Sequence, residues 1–88
     1  MKDHDINQPY ISFGQRLLKI QTDHSLTNKE MTAIVQVHET TWSRYLHDHG
    51  RPKQEVVDII CQKYHVNYLW ITQCSGEVYE VGYIPSHA

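Results

Sequence analysis

Apolar residues recur at helical spacing in five places along the chain, and each place has a boundary signal. Phe13, Leu17 and Ile20 stand at i, i+4 and i+7, the buried stripe of a first helix, with Leu18 off the stripe. Ser12 with Gln15 forms a capping-box pattern that opens it. Thr27 with Glu30 repeats that pattern ahead of Met31, Ile34 and Val35. The periodicity stops at Gln36 and restarts at Val37, after which Trp42 and Tyr45 point inward from a third short helix. Val57, Ile60, Cys61 and Tyr64 make an i, i+3, i+4, i+7 face from about Lys53 onward, with Val56 and Ile59 as a smaller apolar flank. Asn67 then reads as the N-cap of a fifth helix carrying Trp70 and Ile71.

The intervals agree with this division. Asp23-His24-Ser25 breaks the first helix, and Gly50 and Pro52 punctuate the 46–52 loop. Residues 1–9 lack periodicity and end at Pro9, so they read as a flexible arm. The helical domain spans 10–74 and a tail spans 75–88. Within the tail, Glu77 to Ile84 alternates only partly around Gly82, which leaves an edge strand or an extended apolar tail as alternatives. The expected class is all-α, with five helices.

Composition narrows the picture. Eighty-eight residues, 40% of them apolar, suit one domain with a modest core. No apolar run approaches the roughly 18 residues of a membrane span, and Met1-Lys2-Asp3-His4-Asp5 is not a signal peptide, so a cytoplasmic location is expected. Cys61 and Cys74 form no Cys-x-x-Cys pair and read as reduced structural thiols. Net charge is −2, against the usual basic balance of a nucleic-acid binder. Its distribution matters more. Residues 1–25 are neutral, 54–88 carry the acidic excess, and 26–53 hold Lys29, Arg44, Arg51 and Lys53 against Glu30, Glu39 and Asp48.

That slightly basic segment contains the two short helices and the tight corner between them. The second presents Glu39, Thr40, Thr41, Ser43 and Arg44 outward. A polar helix held on a support helix is the geometry that enters a DNA major groove. Other chemistry finds less support. His47-x-His49 falls short of the three or four ligands of a zinc site, and there is neither a nucleophile motif nor a Gly-rich phosphate loop. No metal, no cofactor and no enzymatic activity are expected.

From Phe13 to Cys74 the chain resembles the lambda-repressor-like family of phage repressors, Cro proteins and related bacterial regulators. The resemblance is carried by Phe13-Gly14-x-Arg16-Leu17, Leu26-Thr27-x-x-Glu30-Met31, Val37, Ser43-Arg44-Tyr45, Pro52 and Val66-Asn67-x-x-Trp70-Ile71, all in one register. It departs from the family at Thr32 (usually Ala), Gln36 (usually Gly) and Trp42 (usually a medium aliphatic). It also departs at Gln21 and Leu46, where many members pair an Arg with a Glu. A non-Gly corner residue costs about 1 kcal/mol. The bulk of Trp42 predicts a third helix displaced or tilted from the second.

The resemblance implies an operator-binding homodimer with the third helix, about 38–47, in the major groove of double-stranded DNA. Base reading then falls on Glu39, Thr40 and Arg44, which suit cytosine N4, a thymine methyl and guanine O6/N7 respectively. Backbone contacts fall on Asn28, Thr41, Ser43, His47, His49 and Arg51. Val56, Ile59, Leu69, Tyr79, Val81 and Tyr83 are the apolar positions that a symmetric dimer would cover. The competing expectation is a tail folded back on its own helices. A module of the same fold that binds a protein instead (an antirepressor, an antitoxin or another phage-encoded inhibitor, with a repressor or other regulator as partner) is the alternative function. The net acidity, Glu39 at the DNA face and the oversized Trp42 favour that alternative.

Overall fold

The computed structural model describes residues 12–85; the expected arm at 1–9 lies outside the described residues. Five helices follow one another: α1 (Phe13–Asp23), α2 (Asn28–Val35), α3 (Glu39–Leu46), α4 (Gln54–Tyr64) and α5 (Tyr68–Gln73). The domain is a small all-α helix-turn-helix fold, and no strand forms among the described residues beyond one isolated bridge.

Both capping boxes form. The Ser12 hydroxyl accepts from the Gln15 amide while the Gln15 side chain accepts from the Ser12 amide, each at 3.1 Å. Thr27 and Glu30 do the same at 3.1 and 2.8 Å. Each box satisfies two of the amides that a helix start leaves without intrahelical partners. The corner after α2 turns at Gln36, whose φ of 61° and ψ of 49° are left-handed. Thr32 is buried, and its hydroxyl donates to the Lys29 carbonyl at 3.0 Å, so the buried hydroxyl carries little polar cost.

The core is built from Leu17, Ile20, Met31, Trp42, Ile60 and Ile71, all fully buried. Each such side chain contributes about 1.5–3 kcal/mol by leaving water. Val56 belongs with them. It is 3% exposed, so the flank of α4 that the spacing assigned to the surface is half core, and only Ile59 beside it is partly accessible.

Two backbone approaches lock α1 in place. A Cβ on Gly14 would lie 2.3 Å from the Leu46 carbonyl oxygen, so the start of α1 rests directly on the end of α3. Asp48, just past α3, accepts from the Gly14 amide at 2.8 Å, placing a carboxylate at the positive end of α1. At the other side of α1, the buried Arg16 donates from Nε to the Ile71 carbonyl at 2.8 Å. Its Nη2 also reaches the Thr72 carbonyl at 3.5 Å. A cation thus meets the carbonyl end of α5, the favourable pole for it.

The tail folds back on its own domain. Val66 and Tyr79 form an antiparallel bridge, with Asn67 N–H donating to Val78 and Glu80 N–H to His65, both at 2.9 Å. Asn67 stands at the N-cap of α5 but makes no side-chain cap. Its amide nitrogen instead donates to the carbonyls of Glu77 and Tyr79 at 2.8 and 3.1 Å. Tyr79 donates to Asp23 at the end of α1 at 2.8 Å. Burial first, and then that hydrogen bond, hold the Tyr79 phenol above its ordinary pKa, so it stays a donor. Tyr83 meets His24 Nε2 at 2.7 Å and stacks on His65 at 4.8 Å. Because His24 Nδ1 faces the Ile20 carbonyl at 2.8 Å, the neutral ring carries its hydrogen there and accepts from Tyr83 at Nε2.

The left-handed Gln36 generates a direct prediction. Gln36→Gly removes the Cβ penalty of a positive φ at an exposed site and should stabilise the domain by about 1 kcal/mol. A circular-dichroism melt should show Tm raised by about 4–8 °C. An unchanged or lower Tm would contradict the strained corner.

Candidate nucleic-acid interface

The exposed side of α3 follows from what its other side buries. Trp42 is 0% and Tyr45 7% exposed, and their rings meet edge-on with centroids 6.2 Å apart. With those two inward, the 100° step per residue brings Glu39, Thr40, Ser43, Arg44 and the capping His47 round to one strip. Glu39, Thr40, Arg44 and His47 are exposed and Ser43 is half-buried. Thr41 turns to the other flank. There it lines a shallow cleft of about 340 Å³ with Val37, His38, Tyr45, Lys53 and Ile59.

The positive groups cluster at the end of α3. Arg44 Nη2 donates to the His49 carbonyl at 3.2 Å, which draws the guanidinium over the loop and leaves other N–H groups outward. His47 Nδ1 sits 2.8 Å from the Ser43 carbonyl, so Nδ1 donates there, and Nε2 offers a second N–H only in the protonated ring. The rings of His47 and His49 lie near parallel with centroids 6.4 Å apart. Arg51 lies over the Phe13 ring, 5.2 Å from its centroid. That cation–π contact holds it beside the start of α1. Arg44, His47, His49 and Arg51 therefore form one cluster on α3 and the following loop. Among the described residues, no group of three or more His, Cys, Asp and Glu side chains converges in a way that could hold a metal ion. Nor is any helix long and apolar enough to cross a membrane.

α1 and α3 are joined by neutral groups at Gln21 and Trp42. Gln21 is 6% exposed. Its Oε1 accepts the Trp42 indole N–H at 2.8 Å, and its Nε2 donates to Asn28 Oδ1 at 2.8 Å. The large indole is thereby absorbed on the side of α3 that faces α1, where Gly14 permits backbone approach. Asn28, the first residue of α2, remains exposed. Sequence reading recognised Gln21 only as a lost charge and Trp42 only as excess volume. The two residues complement each other chemically, one donor to one acceptor, and that was the available signal. Lys53, exposed at the N-cap of α4 beside the cleft, is a further cation that the spacing left unassigned.

The apolar positions expected at a dimer interface separate. Val56 is core. Tyr79 and Tyr83 are half-buried against α1 and the histidines by the contacts described above. Ile59 is half-buried, while Leu69 is 54% exposed and Val81 fully so.

No family model matches the chain, and no solved structure matches it significantly. Among curated proteins it is similar to one named antitoxin PezA, from Streptococcus pneumoniae serotype 4 (strain ATCC BAA-334 / TIGR4). The two are 34% identical over 56 residues, which cover 64% of this chain and 35% of that protein. The chain spans about a third of the length of the curated relative it matches.

The Trp42–Gln21 bond predicts energetic coupling between α1 and α3. Trp42→Phe leaves the Gln21 oxygen buried without its donor, and Gln21→Leu leaves the indole N–H without its acceptor. Each should cost about 1–3 kcal/mol. The double variant should cost less than the sum, by roughly 0.5–3 kcal/mol. Urea denaturation of the four proteins measures this, and strict additivity would mean that the bond contributes nothing.

Proposed function

We propose that the chain is a sequence-specific DNA-binding transcriptional regulator of the lambda-repressor-like family, of phage or prophage Cro or repressor type. It binds a palindromic operator as a homodimer with α3 in the major groove. The observation that carries this reading is the polar strip of α3, Glu39, Thr40, Ser43 and Arg44, backed by a buried Trp42 and Tyr45. A helix so mounted offers side chains to base edges without losing its support. Arg44 supplies bidentate donors for guanine, Glu39 an acceptor for cytosine N4, and Thr40 a methyl or hydroxyl contact. Ser43 within the strip and Asn28, His47, His49 and Arg51 beside it take phosphates; Thr41, on the cleft flank, takes one only where the backbone passes that side. Few cations are involved, so affinity should depend shallowly on salt. Of the apolar positions expected at a dimer interface, Leu69 and Val81 stay exposed; a symmetric dimer would set two α3 helices about 34 Å apart.

A second reading has its own support. The similarity to a protein named an antitoxin, with the net charge of −2, favours a module of the same fold whose partner is a protein, with little DNA affinity.

Selection from random duplexes by gel shift separates the two. The DNA reading expects an enriched palindrome whose binding falls roughly 10–100-fold in Arg44→Ala, as loss of a bidentate base contact implies. No enrichment, together with a stoichiometric protein partner in pull-downs, would favour the second reading. Enrichment indifferent to Arg44→Ala would remove α3 as the reading element.

A further inference from the structure

The hydrogen-bond chain from Trp42 through Gln21 to Asn28 has a direction, and the direction is imposed from its buried end. An indole N–H can only donate. Gln21 must therefore turn its oxygen to Trp42, as it does at 2.8 Å, and its nitrogen to the other side. There the nitrogen donates to Asn28 Oδ1 at 2.8 Å. Asn28 is left with its carbonyl engaged inward. Its Nδ2, on an exposed residue at the start of α2, carries two hydrogens with no partner among the described residues. An amide on its own can present either face. Here the choice is made by a tryptophan on a different helix.

We propose that Gln21 and Trp42 are positioning residues for DNA: they fix the Asn28 side chain so that it offers N–H donors, never its oxygen, to a backbone phosphate. This rests on the DNA-binding reading above. A phosphate oxygen accepts hydrogen bonds and repels a carbonyl, so the orientation decides whether Asn28 attracts or opposes the nucleic acid. Because the same indole is part of the buried face of α3, the phosphate contact from α2 and the seating of α3 are set by one interaction.

Gln21→Glu reverses the polarity with little change of shape. A carboxylate at position 21 accepts from Trp42 and from Asn28 Nδ2 alike, which turns Asn28 Oδ1 outward. The test is a double-mutant cycle of Gln21→Glu and Asn28→Ala, read as affinity for a random-sequence duplex of about 20 base pairs at low salt. In the native background, Asn28→Ala should weaken binding about tenfold, as loss of a charge-assisted hydrogen bond implies. The slope against salt should not change, because no cation is removed. In the Gln21→Glu background, Asn28→Ala should cost nothing or restore affinity. A cost of Asn28→Ala that is the same in both backgrounds would overturn the positioning role, since a general effect of the new charge leaves that cost untouched. In the native protein, which needs no variant to fold, duplex addition should shift the Asn28 side-chain amide protons in NMR spectra and leave those of Gln21 nearly unmoved. Asn28 amide protons indifferent to bound duplex would equally overturn it. Absence of any duplex binding by the native chain would instead sink the DNA reading on which the proposal stands.

Discussion

Trp42 is the largest fully buried side chain of the domain, and its indole N–H has to find an acceptor inside it. A buried donor left unpaired costs about 1–3 kcal/mol, a large fraction of what a domain of this size has in reserve. Gln21 on α1 meets that demand and passes the polarity on to Asn28 on α2. Three helices are thus joined by two hydrogen bonds at the point where a supporting helix, a corner and an exposed helix must hold a fixed relation. At Gly14 the same two helices come into close backbone contact, α1 against the Tyr45 and Leu46 carbonyls at the end of α3.

The interior pairs replace charge by neutral complementarity. An ion pair between α1 and α3 would need both charges desolvated together; an amide and an indole avoid that cost and still specify orientation. Arg16, a buried cation, donates to the α5 carbonyls of Ile71 and Thr72. Outside this frame the tail is clasped by phenol and imidazole groups, Tyr79 to Asp23 and Tyr83 to His24 and His65. These contacts cover much of the apolar surface that a helical domain would otherwise present. Tyr68 and Leu69 on α5, Val81 and Ile84 in the tail and Leu18 on α1 stay exposed among the described residues.

Most of the architecture was legible in the sequence, because capping boxes and apolar spacing act locally. Ser12–Gln15 and Thr27–Glu30 each start a helix within a residue of the expected position, and Gln36 turns left-handed where the periodicity breaks. What periodicity could not show depends on partners far apart in sequence. Val56 sits on the flank of its stripe, yet it is buried in the core beside the cleft between α3 and α4. Asn67 has the residue type of an N-cap, but the returning tail claims its amide. The alternation of Glu77 to Ile84 yields a single bridge because the tail's backbone pairs with one residue at the α4–α5 junction. At the interface, the outward positions on α3 followed from spacing. The draw of Arg44 to the His49 carbonyl and the turning of Thr41 toward the cleft did not.

The proposed function stands or falls with α3 offering its polar strip to DNA while Trp42 and Gln21 hold it from behind. Titrating the isotopically labelled chain with a short random duplex at low salt, and following backbone amide shifts, tests this most directly. Perturbations should be confined to the first turn of α2, to Glu39, Thr40, Ser43 and Arg44, and to the loop from His47 to Arg51, with α5 and the tail silent. Shifts centred on Leu69 and the tail, or none anywhere, would contradict it.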